Sequence, residues 1–251
     1  MTLDILIIFV AIVATSFLSG LFSLGGGTIL MGVFVWILPV TVSMLLHGVT
    51  QFASNGSRAV VYWKHIHWPI IGGYLVGAVI VTALFSLVAF VPSKVVVFLL
   101  VGALPFANYV LPKGYALDVT RRGGSLTCGA VNTSAMLLSG VSGPILDVFF
   151  VKTDLTRYQV IATKGLIQTF AHILKMVYYG GIILFMAEFD VLLPWWVFVG
   201  AIVLSVLSNL AASRFHKNMT DVQFRTWTQG LTIAIGVTFL VRGVLLWLEG
   251  G

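Results

Sequence analysis

Apolar residues dominate the chain and fall into blocks that are long enough to cross a lipid bilayer. A transmembrane helix needs about 20 mostly apolar residues to cross about 30 Å of hydrocarbon. Short polar segments separate six blocks of roughly this length, which lie at 41–62, 68–91, 94–111, 155–184, 191–213 and 221–248. The pattern therefore predicts six transmembrane helices joined by short loops.

Two further apolar stretches do not fit this pattern, because glycine-rich segments interrupt them. The stretch 3–38 is too long for one crossing and contains Gly25-Gly26-Gly27, and the stretch 125–151 contains Ser139-Gly140-Val141-Ser142-Gly143-Pro144. Glycine inside a helix costs about 1 kcal/mol relative to alanine, and broken backbone at membrane depth needs protein or a water-filled cavity around it. The second half of each stretch is too short to cross. We therefore predict two re-entrant helical hairpins whose tips line a cavity.

The two interrupted stretches begin two similar halves of the chain. Polar residues match as well as apolar ones, and Arg58 corresponds to Lys175, a pairing that two unrelated hydrophobic helices would not show. Such self-similarity indicates an internal duplication. We predict a single transmembrane domain, 1–251, made of repeats at 1–124 and 125–251. The aligned segments are Gly27-Thr28-Ile29-Leu30 with Gly143-Pro144-Ile145-Leu146 and, after one inserted residue, His47-Gly48-Val49-Thr50-Gln51 with Lys164-Gly165-Leu166-Ile167-Gln168.

The charges between the helices predict the relative orientation of the repeats. If each hairpin returns to the side it left, each repeat has three crossings and the repeats are inverted. Nearly all loop cations then share one side, as the positive-inside rule requires of cytoplasmic loops. We predict an all-α polytopic protein of the cell inner membrane, with two inverted repeats, each a glycine-broken hairpin plus three transmembrane helices, and with both termini outside. The cytoplasmic cations would be Lys64, Lys113, Arg121, Arg122, Lys152, Arg157, Arg214, Lys217 and Arg225, with Lys94, Asp4, Glu188, Asp190 and Glu249 opposite.

Composition supports a membrane protein and excludes several functional classes. The chain has 251 residues, of which 59% are hydrophobic and 9% charged, whereas soluble domains carry about 25% charged residues. We attribute the net charge of +6 to topology, so we expect the lipid bilayer and no nucleic acid as a partner. The single cysteine, Cys128, excludes an internal disulfide and is expected to pack. Metalloprotease, hydrolase and Cys/His metal motifs are absent, so we predict neither an enzyme nor a cofactor or metal site.

Two of the predicted helices carry polar residues at helical spacing. Side chains three or four positions apart share a helix face, and charges facing lipid are costly. We expect the two faces to meet each other or the hairpin tips across a hydrated cavity, although Arg58 and Lys175 are also near enough to helix ends to snorkel. These polar stripes consist of His47, Gln51, Asn55 and Arg58 in the first repeat and Lys164, Gln168, His172 and Lys175 in the second.

The hairpin tips have the chemistry of an anion site. A helix that begins at the break presents unpaired N–H groups and the positive end of its dipole, and such ends bind anions. Asp147 is the exception, and it is either an ion-pair partner of Lys164 or Lys152 or a proton-coupling group. The predicted substrate-binding residues are Gly26, Gly27, Thr28, His47, Gln51, Asn55, Arg58, Ser142, Gly143, Lys164, Gln168, His172 and Lys175.

The glycine-rich segment also resembles a known family. Gly20-Leu21-Phe22-Ser23-Leu24-Gly25-Gly26-Gly27 is similar to the first motif of the sulfite exporter TauE/SafE family, also called the toluene sulfonate uptake permease family, and Ser139–Leu146 is a degenerate match to the second. The resemblance implies a secondary transporter of small sulfur-containing anions such as sulfite or sulfonates. We expect proton-coupled alternating access, with an anion channel of the same pore as the alternative. Gly72-Gly73-x-x-x-Gly77 suits either a homodimer contact or packing within one chain.

Overall fold

The computed structural model describes residues 2–22, 25–107, 117–186, 192–215 and 221–250, and these ranges contain ten α-helices and no β-strand. The all-α polytopic fold is thereby confirmed. Lys113, Glu188, Asp190 and Lys217, which entered the topology prediction, lie outside the described residues. The helices are α1 (Thr2–Phe22), α2 (Gly26–Ile37), α3 (Val40–Val61), α4 (Trp68–Val88), α5 (Lys94–Ala103), α6 (Gly124–Ser139), α7 (Gly143–Phe150), α8 (Arg157–Met186), α9 (Trp195–Phe215) and α10 (Asp221–Leu248).

Four helical segments in the described ranges are long and apolar enough to cross a membrane. They are Leu3–Gly20, Trp68–Val88, Arg157–Ile183 and Trp195–Ala212. α3 has the predicted length, but its polar stripe keeps it out of this set. α5 is shorter than the predicted block 94–111, because a 3₁₀ turn at Leu104–Phe106 follows it. Pro105 in that turn has no N–H to continue the α-helix, and residues 108–111 of the predicted block lie outside the described residues.

Both interrupted stretches form helical hairpins, as predicted, while their re-entry into a membrane stays a prediction. α2 runs back along α1, because Gly26 lies against Thr15 and Ser19, while Leu38 at the end of α2 shares an apolar cluster with Ile5 at the start of α1. In the second hairpin the N–H of Val119, just before α6, donates to the carbonyl oxygen of Phe149 at the end of α7, over 3.1 Å. Each hairpin therefore returns to the end of the molecule from which it started.

The helices pack in pairs that correspond between the two halves. α3 packs on α8 and α5 on α10, while α1 packs on α9 and α4 on α6. α3 and α8 are antiparallel, since Gly48 lies against Met176 near one end of the contact, and Ala59 lies against Gly165 near the other. Inverted repeats require this pairing and this direction. The duplication and its boundary nevertheless stay predictions.

One end of the molecule gathers exposed basic side chains. Lys64 follows α3 and shares a cavity with Tyr158 at the start of α8. The start of α4 lies beside the start of α6, where Gly73 is against Ser125. Arg121, Arg122, Lys152 and Arg157 are exposed at the same helix ends. Five of the loop cations assigned to one side, Lys64, Arg121, Arg122, Lys152 and Arg157, thus lie at one end of the fold.

The glycine face of α4 packs within the chain. A Cβ added to Gly73 would lie 2.1 Å from Ser125 Oγ, and one added to Gly77 would lie 2.2 Å from the carbonyl oxygen of Leu126. These glycines therefore let α4 and α6 approach closely, which is the second of the two alternatives. A homodimer stays a prediction without a contact surface assigned to it. Cys128, on α6, is buried as expected.

Candidate functional site

The predicted polar stripes meet where α3 crosses α8. Gly48 permits the close approach, because a Cβ there would lie 2.7 Å from Met176 Cγ and 3.4 Å from Lys175 Cε. The lysine side chain can therefore extend across α3. As a result, Lys175 reaches His47 on the facing stripe.

A hydrogen-bond network through Lys175 joins the two glycine breaks. His47 Nε2 lies 2.8 Å from the carbonyl oxygen of Gly27, and His47 Nδ1 lies 2.8 Å from Lys175 Nζ. Lys175 Nζ also donates to the carbonyl oxygen of Gly140 over 3.0 Å. A carbonyl oxygen only accepts, so His47 Nε2–H donates to Gly27, and Nδ1 of the neutral imidazole then accepts from Lys175 Nζ. A single lysine therefore links the first hairpin, through His47, to the second.

Lys175 has no acidic partner in the described part of the chain. Its side chain is fully buried, at 0% exposure. The ion pairs found among the described residues join Arg121 to Asp118 and Lys164 to Asp147, and neither includes Lys175. Buried charges in proteins are normally paired, and a charge inside a membrane marks a functional site. The position is thus basic and lacks a countercharge.

The first break is built tightly from glycine. Gly25 has φ +79°, and α2 begins at the next residue. A Cβ on Gly26 would overlap Ser19 Oγ at 2.1 Å and the carbonyl oxygen of Thr15 at 2.2 Å. Gly27 lies against Gln51, whose Nε2 is buried without a hydrogen-bond partner. The first N–H groups of α2, at Gly26, Gly27 and Thr28, have no acceptor within the helix.

The second break also contains a glycine with positive φ, here at the end of α6, and it has more room. Gly140 has φ +79°, Ser142 precedes α7, and Pro144 occupies the first turn. A Cβ on Gly143 would lie 3.6 Å from Gln168 Nε2, and the buried Ser142 Oγ has no hydrogen-bond partner. Each break thus has a glutamine from the neighbouring long helix against its glycine, as the alignment of the repeats predicts.

The remaining predicted residues lie around this centre in different arrangements. Lys164 forms an ion pair with Asp147 of α7, and their side chains are 16% and 24% exposed. Of the alternatives for Asp147, the structure shows an ion pair with Lys164. Arg58 donates to Asn55 Oδ1 within α3. His172 is buried with Nδ1 unpartnered, and its ring centroid lies 5.6 Å from that of His47.

Comparison with known families agrees with this geometry. The family described as Sulfite exporter TauE/SafE matches residues 7–239, which is nearly the whole chain. The chain belongs to the sulfite exporter TauE/SafE family. The resemblance seen in the glycine-rich segments is therefore confirmed, and the chain is an integral membrane transport protein of a family that handles sulfur anions such as sulfite. No curated protein and no solved structure matches the chain significantly.

Sequence reasoning missed a neutral polar cluster beside the first break of this TauE/SafE protein. Asn209 Nδ2 on α9 donates to Ser54 Oγ on α3 over 2.6 Å. A Cβ on Gly20 would lie 3.1 Å from Asn209 Oδ1, and both that oxygen and Ser16 Oγ on α1 are buried without partners. Small polar residues scattered over three helices give no periodic signal. Only their buried positions in the fold reveal the cluster.

A cavity opens at the basic end of this family member, where α3 ends and α8 begins. Its volume is about 390 Å³, and its lining is Lys64, His65, Ile66, Thr156, Tyr158 and Gln159. The rings of Tyr62 and His65 lie 5.9 and 5.3 Å from that of Tyr158. The cavity lies at the ends of the two helices that carry the polar stripes, so it is a candidate vestibule.

Proposed function

We propose that this chain is a proton-coupled secondary transporter that carries small sulfur-containing anions across the cytoplasmic membrane by alternating access. The substrate would be of the sulfite, sulfonate or sulfo-carboxylate type. Family membership supports a sulfur anion, and the buried basic centre between two helix N-termini supports an anion rather than a cation. The basic end of the fold would face the cytoplasm, with both termini outside.

The observation that carries this proposal is the position of Lys175. This basic side chain is fully buried, hydrogen-bonds to the second hairpin at Gly140 and reaches the first through His47, and has no carboxylate partner among the described residues. A bound anion would supply the missing countercharge. The hairpins would move apart or together as that anion arrives or leaves, because the lysine is hydrogen-bonded to the second hairpin directly and to the first through His47.

We assign supporting roles to the residues around this lysine. Backbone N–H groups of Gly26, Gly27 and Thr28 would donate to the anion, as helix N-termini do. Gln51 Nε2 and Ser142 Oγ have unused hydrogen-bonding capacity, and Gln168 lies at Gly143. His172 would face the anion from α8. Arg58 with Asn55, and Lys164 with Asp147, would add charge along the route rather than at the centre.

Transport by reconstituted protein tests the proposal. Proteoliposomes should take up labelled sulfite saturably and should show counterflow when loaded with unlabelled sulfite. Lys175→Met should lower the rate by about 100-fold, the loss typical of truncating a buried charged hydrogen-bonding group. Lys94→Met is the matched control, because Lys94 is exposed at the start of α5, and its rate should stay near that of the unmodified protein. Unchanged transport by Lys175→Met at normal expression would contradict the site.

The alternative is an anion channel with the same pore. A channel needs an open path, whereas His47 and Lys175 close the centre between the hairpins at 1% and 0% exposure. This closed centre favours a carrier. Conductance without counterflow in planar bilayers would instead support the channel.

A further inference from the structure

We propose that Lys175 is the proton carrier of the transport cycle, taking up a proton when the anion binds and releasing it when the anion leaves. This inference rests on the proposed function, since it assumes that the anion binds beside Lys175. It places proton coupling on a lysine at the centre rather than on Asp147, the only acidic residue within the second hairpin.

The number of hydrogen-bond acceptors around Lys175 Nζ matches the donors of a neutral amine. The structure shows two, His47 Nδ1 and the carbonyl oxygen of Gly140. A neutral amine has two N–H groups and one lone pair, so both of its donors are used here. An ammonium has three N–H groups, which leaves one for a further acceptor. The anion would be that acceptor.

The groups that surround Lys175 in the structure determine whether its positive charge would be balanced. α3 contributes His47, and the end of α6 contributes only a carbonyl oxygen. On α8 itself, His172 lies one turn before Lys175, and Tyr179 one turn after it donates to the carbonyl oxygen of Leu137 over 2.5 Å. None of these described neighbours is acidic. An ammonium at this position would therefore stay uncompensated until an anion arrives.

The proton balance of the step is simple. The lone pair of the neutral Lys175 Nζ takes a proton from the aqueous side on which the anion enters, and the new N–H donates to an oxygen of the anion. The ammonium and a monovalent anion together are neutral, so the occupied site carries no net charge when its access changes from one side of the membrane to the other. On the other side the proton and the anion leave together.

Lys175 differs from Arg58, its predicted counterpart in the first repeat, in its ability to lose a proton. Arginine stays protonated in proteins, whereas a buried lysine can lose its proton. Arg58 is partly exposed and donates to Asn55, so its charge has a polar partner. The chain thus places a permanent cation at one repeat-related position and an ionisable one at the other.

The decisive variant is Lys175→Arg, which fixes the charge. In proteoliposomes at zero membrane potential, an inward proton gradient should make the unmodified protein accumulate labelled sulfite. Lys175→Arg should still exchange internal for external sulfite, because the loaded form can move, but it should lose proton-driven accumulation. Lys94→Arg is the matched control at an exposed lysine and should accumulate normally. Accumulation by Lys175→Arg equal to that of the unmodified protein would overturn the inference.

Asp147→Asn provides the second test, which stays informative if Lys175→Arg fails to fold. This variant should retain its dependence on the proton gradient, even if its rate falls because Lys164 loses its partner. Loss of accumulation with exchange intact in Asp147→Asn would assign the proton to Asp147 and overturn the inference. Counterflow by the unmodified protein without any response to protons would also overturn it, whereas absence of counterflow would refute the proposed function itself.

Discussion

Both glycine breaks contain a glycine with positive φ, but they differ in the position of that glycine and in the side chains around it. Each has a glycine with φ +79°, Gly25 or Gly140, and each is followed by a short helix with a glutamine against an early glycine. The first is surrounded by hydroxyl and amide groups from α1, α3 and α9. The second receives Lys175 at Gly140 and has the Lys164–Asp147 ion pair beside it.

The positive-φ glycines are a backbone feature of both breaks, whereas the side chains around the breaks differ. Lys175 is hydrogen-bonded directly to the second break at Gly140 and reaches the first only through His47. The two breaks should therefore respond differently to equivalent substitutions, and the following predictions test this asymmetry.

The largest difference is expected between Gly26→Ala and Gly143→Ala. A methyl group at Gly26 meets backbone and side-chain oxygens at 2.1–2.2 Å, whereas the nearest atom at Gly143 is 3.6 Å away. Gly26→Ala should lower the free energy of unfolding by about 1–3 kcal/mol, the usual cost of overpacking, and Gly143→Ala by less than about 0.5 kcal/mol. Thermal unfolding of the detergent-solubilised variants measures both. Equal stability of the two variants would contradict the tight fit at the first break.

A smaller effect is expected from the ion pair at the second break, which has no counterpart among the described residues of the first. Removing one member of a buried pair leaves an uncompensated charge and costs about 3–5 kcal/mol. Partial exposure of Lys164 and Asp147 should reduce that cost, to about 1–2 kcal/mol for Asp147→Leu. The double variant Asp147→Leu/Lys164→Leu should regain most of the loss, because no lone charge remains. Additive losses in the unfolding experiment would show that the pair is not coupled.

The smallest effect is expected at the neutral cluster of the first break. Asn209→Leu removes the partner of Ser54, and one hydrogen bond lost in a buried site costs about 1 kcal/mol. Asn132→Leu is the matched control in the first helix of the second hairpin, where Asn132 Nδ2 donates to Tyr74 Oη over 2.7 Å. Both variants should be destabilised similarly. The sulfite KM should change, by a few-fold, only in Asn209→Leu, and an equal change in both would remove the cluster from the first break's function.

Much of this architecture follows from one-dimensional patterns. The glycine breaks, the polar stripes and the correspondence of Gln51 with Gln168 are visible because helical spacing and repetition are local properties of a sequence. The facing of α3 and α8 follows from the cost of exposing those stripes to lipid. The sequence also identifies the residues of the centre, since both His47 and Lys175 were expected there.

The sequence could not predict which of the cations in the helices is buried most deeply and lies at the centre. Lys164 is deepest along the sequence, but in the fold it lies beside Asp147, because α7 folds back against α8. Lys175 is near enough to a helix end to be a snorkelling candidate, yet the crossing at Gly48 buries it completely. Such differences depend on tertiary contacts between residues far apart in sequence. For the same reason Ser16, Ser54 and Asn209 gave no signal before the helices were assembled.

The polar face of α3 has a consequence for how the protein is made. α3 spans 22 residues but is not among the segments apolar enough to enter a membrane alone. Its face is covered by α8, which the ribosome completes only after α4, α5, α6 and α7. We therefore expect α3 to be held by the insertion machinery, or to lie at the membrane surface, until α8 has been synthesised. Assembly of the transport centre is then one of the last steps of biogenesis, and a chain that stops before α8 would present an unpartnered α3 to membrane quality control.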